Sequence, residues 1–332
     1  MPSQPTATAE VFPRLRPLMF SIAYRMLGSV AEAEDIVQEA FLRYHRAAAG
    51  PAGVESPKAF LSAVTTRLSI DELRSARVRR EAYPGEWLPE PVFTSAGAPS
   101  GPGLATVASG QASGPVADPA AAAEQADSLS MAFLLVLERL SPVERAVFLL
   151  HDVFSYGYDE IAEIVGKTED NCRQLAARAR RHVTEAKPRF EVSRRKREEL
   201  ASRFFRAVED GDLDGLVTML AEDVVMYGDS GGVSPSWPRP ITGRAKVGRL
   251  IAVLGEQIRT LKVRIEPVEV NGQPGSICLD RDGQLINVFA LDIVDGQVQT
   301  IRSVISRDKL RHLGPLADVP GLLDQLRNGP AR

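Results

Sequence analysis

Between Asp152 and Val183 the chain reads DVFSYGYDEIAEIVGKTEDNCRQLAARARRHV, and this stretch constrains the fold more than any other. A short apolar helix carrying Ile161, Ala162, Ile164 and Val165 runs into Gly166, and a second, arginine-rich helix opens at Thr168. Glycine tolerates the positive φ that a tight turn between two helices demands. Thr168 can accept from the free N–H groups of the second helix, and Glu169 and Asp170 suit the positive end of its dipole. Cys172, Leu175, Ala176 and Ala179 fall at i, i+3, i+4 and i+7, a thin apolar face for the preceding helix. Arg173, Gln174, Arg178 and Arg181 point elsewhere. The pattern is that of a helix-turn-helix whose second helix is free to enter a DNA major groove. An ordinary helical hairpin with a solvated basic face is the alternative for these residues taken alone.

A net charge of −3 looks wrong for a nucleic-acid binder, but the sum hides its distribution. From Lys167 to Arg197 there are eleven Lys/Arg against four Asp/Glu, whereas from Glu198 to the end there are sixteen against nineteen. The basic field is local. The 332 residues suffice for two or three domains, and 44% hydrophobic with 25% charged residues is ordinary for a soluble globular chain. No run is long enough to span a membrane and the N-terminus lacks a signal pattern, so a cytoplasmic protein without a membrane partner is expected. Cys172 and Cys278 stand far apart with no metal-ligand spacing, which points to reduced thiols and to neither a disulfide framework nor a structural metal.

Composition also divides the chain. Residues 10–82 are helix-patterned. Residues 83–128 hold most of the low-complexity sequence, too poor in apolar mass to fold, and read as a flexible linker. Residues 129–190 are helical again, and 191–199 form a charged connector. From 200 to 310 two helical segments (200–220 and 244–257) precede the strand-like runs LKVRIEPVEV, GSICLD, QLINVFALDIV and QVQTIRSVIS. Asn271-Gly272, Asp282-Gly283 and Asp295-Gly296 punctuate these runs as hairpin turns, predicting an α+β domain with a curved antiparallel sheet; residues 311–332 remain as a tail.

In the N-terminal segment Gly28 and Ser29 end one helix and cap the next. Asp35, Gln38, Glu39 and Arg43 share its polar face, while Ile36, Val37, Ala40, Phe41 and Tyr44 build the buried side. In the following helix Phe60, Leu61, Val64, Leu68 and Leu73 are core, and Lys58, Arg67, Arg74, Arg77, Arg79 and Arg80 form a basic flank. Alone, such helices are what any helical bundle shows.

Together the segments resemble a family. AYRMLGSVAEAEDIVQEAFLR is similar to region 2 of an extracytoplasmic-function (ECF) RNA polymerase sigma factor, and LSPVERAVFLLHDVFSYGYDEIAEIVGKTEDNCRQLAARARR is similar to its region 4. The motif EWLPEP at Glu86–Pro91, the 200–310 segment and a terminal DKL at Asp308–Leu310 resemble the subgroup with a fused SnoaL-like (NTF2-like) domain. Two motifs depart from that subgroup: Gly228-Asp229-Ser230-Gly231-Gly232 stands for an Asp-Gly-Gly-Gly pattern, and Ser306-Arg307 replace Asn-Pro before Asp308.

The resemblance implies two all-α sigma domains followed by a cone-shaped α+β domain, no cofactor, and core RNA polymerase and promoter DNA as partners. Asp35, Gln38, Glu39 and Arg43 then correspond to the polymerase-binding face. Lys58, Arg67, Arg74, Arg77 and Arg80 contact the opened −10 element, where single-stranded backbone needs cations. Thr168, Asp170, Asn171, Arg173, Gln174, Arg178 and Arg181 face the −35 duplex, with Arg180 beside them on phosphate. Trp87, Leu88 and Pro89 are expected to dock on Asp229, Gly231 and Gly232 and on Asp308 and Lys309, giving regulation in cis. Tyr227, Asp229, Trp237, Arg244, Asp280 and Asp292 are placed at or near an apolar pocket that leaves room for a small-molecule ligand. No catalytic residue is assigned. A working isomerase- or hydrolase-type enzyme in that pocket stays open as a second reading, and a DNA-binding regulator that never engages polymerase as a third.

Overall fold

A computed structural model describes residues 5–51, 53–94, 128–186, 193–232 and 239–328. The chain divides into two compact units, the first from the described residues of 5–82, 128–129 and 133–186, the second from 83–94, 130–132, 193–232 and 239–328.

The first unit is helical. Helices α1 (Pro5–Leu27), α2 (Val30–Ala48) and α3 (Pro57–Glu81) pack against one another around Met19, Tyr24, Val37, Ala40 and Leu61. Gly28 takes φ 67° to end α1, and the Ser29 hydroxyl accepts from the Glu32 N–H at 3.2 Å to start α2. Phe41 is only half-buried, its ring tilted against those of Phe12 and Tyr44. Helices α4 (Met131–Leu137) and α5 (Pro142–Phe148) follow, the latter started by a Ser141/Glu144 capping box and continued by a π-helical turn over Leu149–Val153. Then come α6 (Tyr158–Val165) and α7 (Glu169–Ala186).

In the second unit, α8 (Arg194–Asp210) begins inside the stretch expected to be a connector, because Arg194–Glu198 and Arg195–Glu199 pairs one turn apart support helix there. Gly211, at φ 74°, breaks the expected single helix before α9 (Leu213–Met219). Strand β1 (Leu220–Asp229), β2 (Ile241–Thr242), helix α10 (Arg244–Leu261) and strands β3 (Arg264–Val270), β4 (Gln273–Leu279), β5 (Leu285–Val294) and β6 (Gln297–Val304) complete the body, followed by α11 (Arg307–Leu310) and α12 (Val319–Asn328).

The sheet runs β2-β1-β6-β5-β4-β3 and is mixed, not wholly antiparallel: β1 lies parallel to β6, Met226 opposite Ile301. A parallel pair needs a long crossover, here the whole of α10 and the intervening strands. The hairpins form where the dipeptides stand. Asn271-Gly272 and Asp295-Gly296 have both residues at positive φ, as a two-residue primed turn requires. At Asp282-Gly283 only the glycine does, and Asp280 Oδ1 closes the loop by accepting from the Asp282 and Gln284 N–H groups. The inward face, with Val224, Met226, Leu291, Ile293 and Ile301, packs on Phe204, Leu216, Val247 and Ile251 of the helices.

Candidate nucleic-acid interface and linker latch

The turn from α6 to α7 is built as the spacing demands. Gly166 sits at φ 64°, the Thr168 hydroxyl accepts from the Asn171 N–H at 3.3 Å, and Cys172, Leu175, Ala176 and Ala179 are buried. Thr168, Asp170, Asn171, Arg173, Gln174, Arg178 and Arg181 are all exposed. Arg173 is steadied by Glu169 (2.6 Å) and Asp170 (2.9 Å), with its guanidinium over the Tyr158 ring. Arg178 lies 3.6 Å from Glu144. Arg180 turns inward to Asp152, His151 and Tyr158, so it braces the motif rather than offering a free cation.

On α2, Asp35, Gln38 and Arg43 are exposed and Glu39 half-exposed, with Arg43 donating to Glu39 at 2.7 Å. The α3 cations fare differently. Lys58 is exposed, its ammonium 5.6 Å from the Tyr156 ring centre, and Arg74 is exposed and paired with Asp71. Arg67 reaches the C-terminal end of α6, donating to the Ile164 and Glu163 carbonyls at 2.8 Å each. Arg80 donates to Glu138 and to the Leu27 carbonyl. Buried Arg145 completes this seam through Glu138, the Met26 carbonyl and the Leu137 carbonyl, and Ser62 meets the Tyr156 hydroxyl at 2.7 Å. The side chain of Arg77 lies outside the described residues. Arg25, unassigned from sequence, is buried beside Ser128 and Ser21, and its loss of hydration pulls its pKa down to about 10.

In the second unit, residues 83–94 are seated on the sheet and are not a free linker; residues 95–127 lie outside the described part. Asp229, at the end of β1, is 1% exposed. Its carboxylate accepts from the Leu88 N–H (2.8 Å), the Lys309 ammonium (2.6 Å), the Tyr83 hydroxyl (2.5 Å) and the Gly231 N–H (3.1 Å). Lys309 also donates to the Leu88 carbonyl and lies between two rings, 4.4 Å from Trp87 and 4.7 Å from Tyr83. Burial and the Asp229 carboxylate push the Tyr83 hydroxyl's pKa well up, so it stays a donor. Leu88 and Pro89 are buried.

Both loop glycines are required. At positive φ, a Cβ on Gly231 would stand 2.7 Å from the Ser306 hydroxyl, and one on Gly232 would stand 2.6 Å from Pro84. Ser306, one of the two departures, starts α11 and donates its N–H to the Asp229 carbonyl at 3.1 Å. Asp308 does not join: it is exposed and pairs with Arg311. Further along, Val92 and Asn271 exchange hydrogen bonds, Phe93 bridges Val270 antiparallel, and Thr94 donates to the Glu269 carbonyl at 2.9 Å, so the segment extends the sheet at its β3 edge. Partly buried His312 meets the Pro91 carbonyl at 2.8 Å. Tyr83, Asn271 and His312 carried no signal in the sequence that marked them for this contact, and Ser306 was marked only as a departure in the terminal motif.

The residues expected around an apolar pocket are dispersed. Side chains alternate along a strand, and Met226 and Leu291 face the helices, so Tyr227, Asp229 and Asp292 face the other way. Asp292 pairs there with buried Arg302, whose guanidinium lies over Tyr227. Arg244 donates to the Leu220 carbonyl, Asp280 closes a hairpin, and Trp237 lies outside the described residues. Tyr227 and Asp229 therefore do not form an acid–base pair in a cavity.

Comparison with known proteins accounts for the arrangement. Residues 11–79 match Sigma-70 region 2, residues 130–183 match Sigma-70 region 4, and residues 201–302 match the SnoaL-like domain. The chain is 37% identical over 307 residues to the ECF RNA polymerase sigma factor SigJ of Mycobacterium tuberculosis, covering 90% of this chain and 91% of that protein. It is 32% identical over 295 residues to the probable ECF RNA polymerase sigma factor SigI of the same species, covering 89% and 92%. The crystal structure of M. tuberculosis SigJ superposes with a TM-score of 0.67 at 33% identity, covering 93% of this chain and all of that one. The helix-turn-helix, the α2–α3 bundle and the fused sheet domain are thus the parts of one transcription initiation factor, and the chain belongs to the ECF RNA polymerase sigma factors, with core RNA polymerase and promoter DNA as its partners.

Proposed function

We propose that this sigma factor is restrained in cis by its SnoaL-like domain, through the seating of residues 83–94. The buried Asp229 carboxylate, which gathers Leu88, Tyr83 and Lys309, carries the reading. Tyr83 follows directly on the end of α3, so a seated segment tethers region 2 to the fused domain. Once released, its twelve residues could extend by up to ~40 Å, reach that regions 2 and 4 need to span two promoter elements.

In this reading Asp35, Gln38, Glu39 and Arg43 bind core polymerase. Thr168, Asp170, Asn171, Arg173, Gln174, Arg178 and Arg181 read the −35 duplex. Lys58, Arg67, Arg74, Arg77 and Arg80 serve the −10 strand, and Arg67 and Arg80 reach it only after leaving their contacts with region 4. Polymerase, by separating the two regions, would free them. The place of action is the cytoplasm, where polymerase and promoter are; no described helix is long and apolar enough to cross a membrane. A ligand of the SnoaL-like domain would be a natural input to the restraint.

The test is in vitro transcription with core polymerase, comparing the full chain with Trp87→Ala. Trp87 packs on Lys309 in the latch, so the variant should bind core normally and initiate several-fold faster. An unchanged initiation rate rules out restraint by the seated segment.

A further inference from the structure

The latch surrounds a cation as a binding site would. The Lys309 ammonium donates to the Asp229 carboxylate at 2.6 Å and to the Leu88 carbonyl. Its nitrogen stands 4.4 Å from the centre of the Trp87 ring and 4.7 Å from that of Tyr83. The π faces of the rings attract positive charge, and the two oxygens accept N–H groups. Most of this cage is held by bonds other than those to the lysine. Asp229 also accepts from the Tyr83 hydroxyl and from the Leu88 and Gly231 N–H groups, which fixes the carboxylate and both ends of residues 83–88 around it.

Lys309 is thus a ligand on a tether. Its side chain enters the cage, while its own N–H donates to the Ser306 carbonyl within the short turn of α11. Tyr83 and Trp87 are half-buried and Pro84 and Gly85 between them are exposed, so the cage borders solvent. Withdrawal of the lysine alone strands a buried carboxylate. Withdrawal with another ammonium entering strands no charge, and Lys309 regains in water the hydration that the incoming ion gives up. What opposes the exchange is the tether, which keeps its ammonium at an effective concentration of roughly millimolar or more.

The two oxygens set the class of competitor. A primary ammonium brings N–H donors to both, whereas a quaternary one carries the same charge to the rings and has no donor to give. We propose that the latch is an aromatic cage for primary alkylammonium ions, occupied at rest by the chain's own Lys309, and that a free unbranched primary amine in its ammonium form competes for it. The consequence for initiation rests on the cis-restraint reading; the binding does not.

The probe is n-propylammonium, which replaces atom for atom what Lys309→Ala removes. Titrated into the full chain carrying that substitution, it should raise the thermal transition of the SnoaL-like domain. It should also bind about tenfold or more tightly than tetramethylammonium at equal ionic strength, the effect of a hydrogen bond to a charged group. Adding Trp87→Ala to Lys309→Ala should weaken n-propylammonium several-fold. The unaltered protein gives an answer that does not depend on how the variant folds. Between two rings the protons next to the Lys309 ammonium are shifted upfield in the NMR spectrum of protein with isotope-labelled lysine, where Lys309→Met identifies their signal. Excess n-propylammonium should move that signal to the position of an exposed lysine, and tetramethylammonium should not. Equal binding of the two ions by Lys309→Ala, n-propylammonium binding indifferent to Trp87, or a Lys309 signal that n-propylammonium leaves in place would each overturn the proposal. None of these readouts involves transcription, so such a failure would leave the cis-restraint reading intact. Conversely, unchanged initiation by Trp87→Ala would leave the cage a binding site without that consequence.

Discussion

Two closures hold this sigma factor, and they differ in depth. The seam between regions 2 and 4 is made of arginines on backbone carbonyls and one shared carboxylate, with Arg67 exposed at the rim. The latch on the SnoaL-like domain buries a carboxylate and an ammonium together, Asp229 and Lys309, under two aromatic rings. On the proposed −10 assignment, single-stranded DNA phosphate offers Arg67 and Arg80 an alternative partner, for which their contacts can be exchanged. Lys309 and Asp229 are buried together: opened without replacement partners, each is a bare charge leaving a buried site. The seam suits displacement by polymerase and DNA; the latch suits a switch that stays put until something acts on it.

Breaking the latch should give the largest effect. Asp229→Asn keeps the shape but leaves Lys309 buried without its counter-charge, which should cost the SnoaL-like domain about 3–5 kcal/mol in chemical denaturation. If the loss is below 1 kcal/mol, the two closures are alike in depth. Glu138→Gln addresses the seam. It removes the charge that Arg80 and Arg145 share, should destabilise the closed first unit by about 1–3 kcal/mol, and should increase the distance between labels on regions 2 and 4. No change in that distance would show that the seam rests on packing alone.

The smallest effect is pH dependence at the latch's far end. Burial lowers the His312 pKa below 6.5, opposed by its bond to the Pro91 carbonyl, with Glu90 3.9 Å away. The unfolded chain then takes up a proton more readily, so this contribution is whole above pH 6.5 and is lost as pH falls through the lowered pKa. Hydrogen exchange at residues 88–94 should speed up over that interval, and His312→Gln should flatten the response.

Much of this was legible from the chain because the signals were local. Gly166 and Thr168 lie within a few residues of the turn they make, as do Asn271-Gly272 and Asp295-Gly296. Strand β1 was not read: Glu222 and Asp223 interrupt its alternation, and its partner β6 lies some 75 residues on. Helix α12 was overlooked although Val319, Leu322, Leu323 and Leu326 carry helical spacing, because a ten-residue element in a tail has little other support. At the latch, the WLPEP, glycine and DKL motifs marked Leu88, Asp229 and Lys309. Tyr83 is recruited by proximity alone, and Asp308, adjacent to Lys309, points to Arg311 instead. Nor could sequence show that Arg67 is occupied, since its acceptors are backbone carbonyls that any residue would supply.

The position of Lys309 also sets an order of events during synthesis. The helix-turn-helix is complete at the end of α7, and the lysine that closes the latch is translated about 120 residues later. At roughly 5–20 residues per second this is on the order of ten seconds. Each new molecule therefore passes through an interval in which both promoter-reading regions have been made and the latch has not, and polymerase present in excess would meet a newborn factor before the proposed restraint exists.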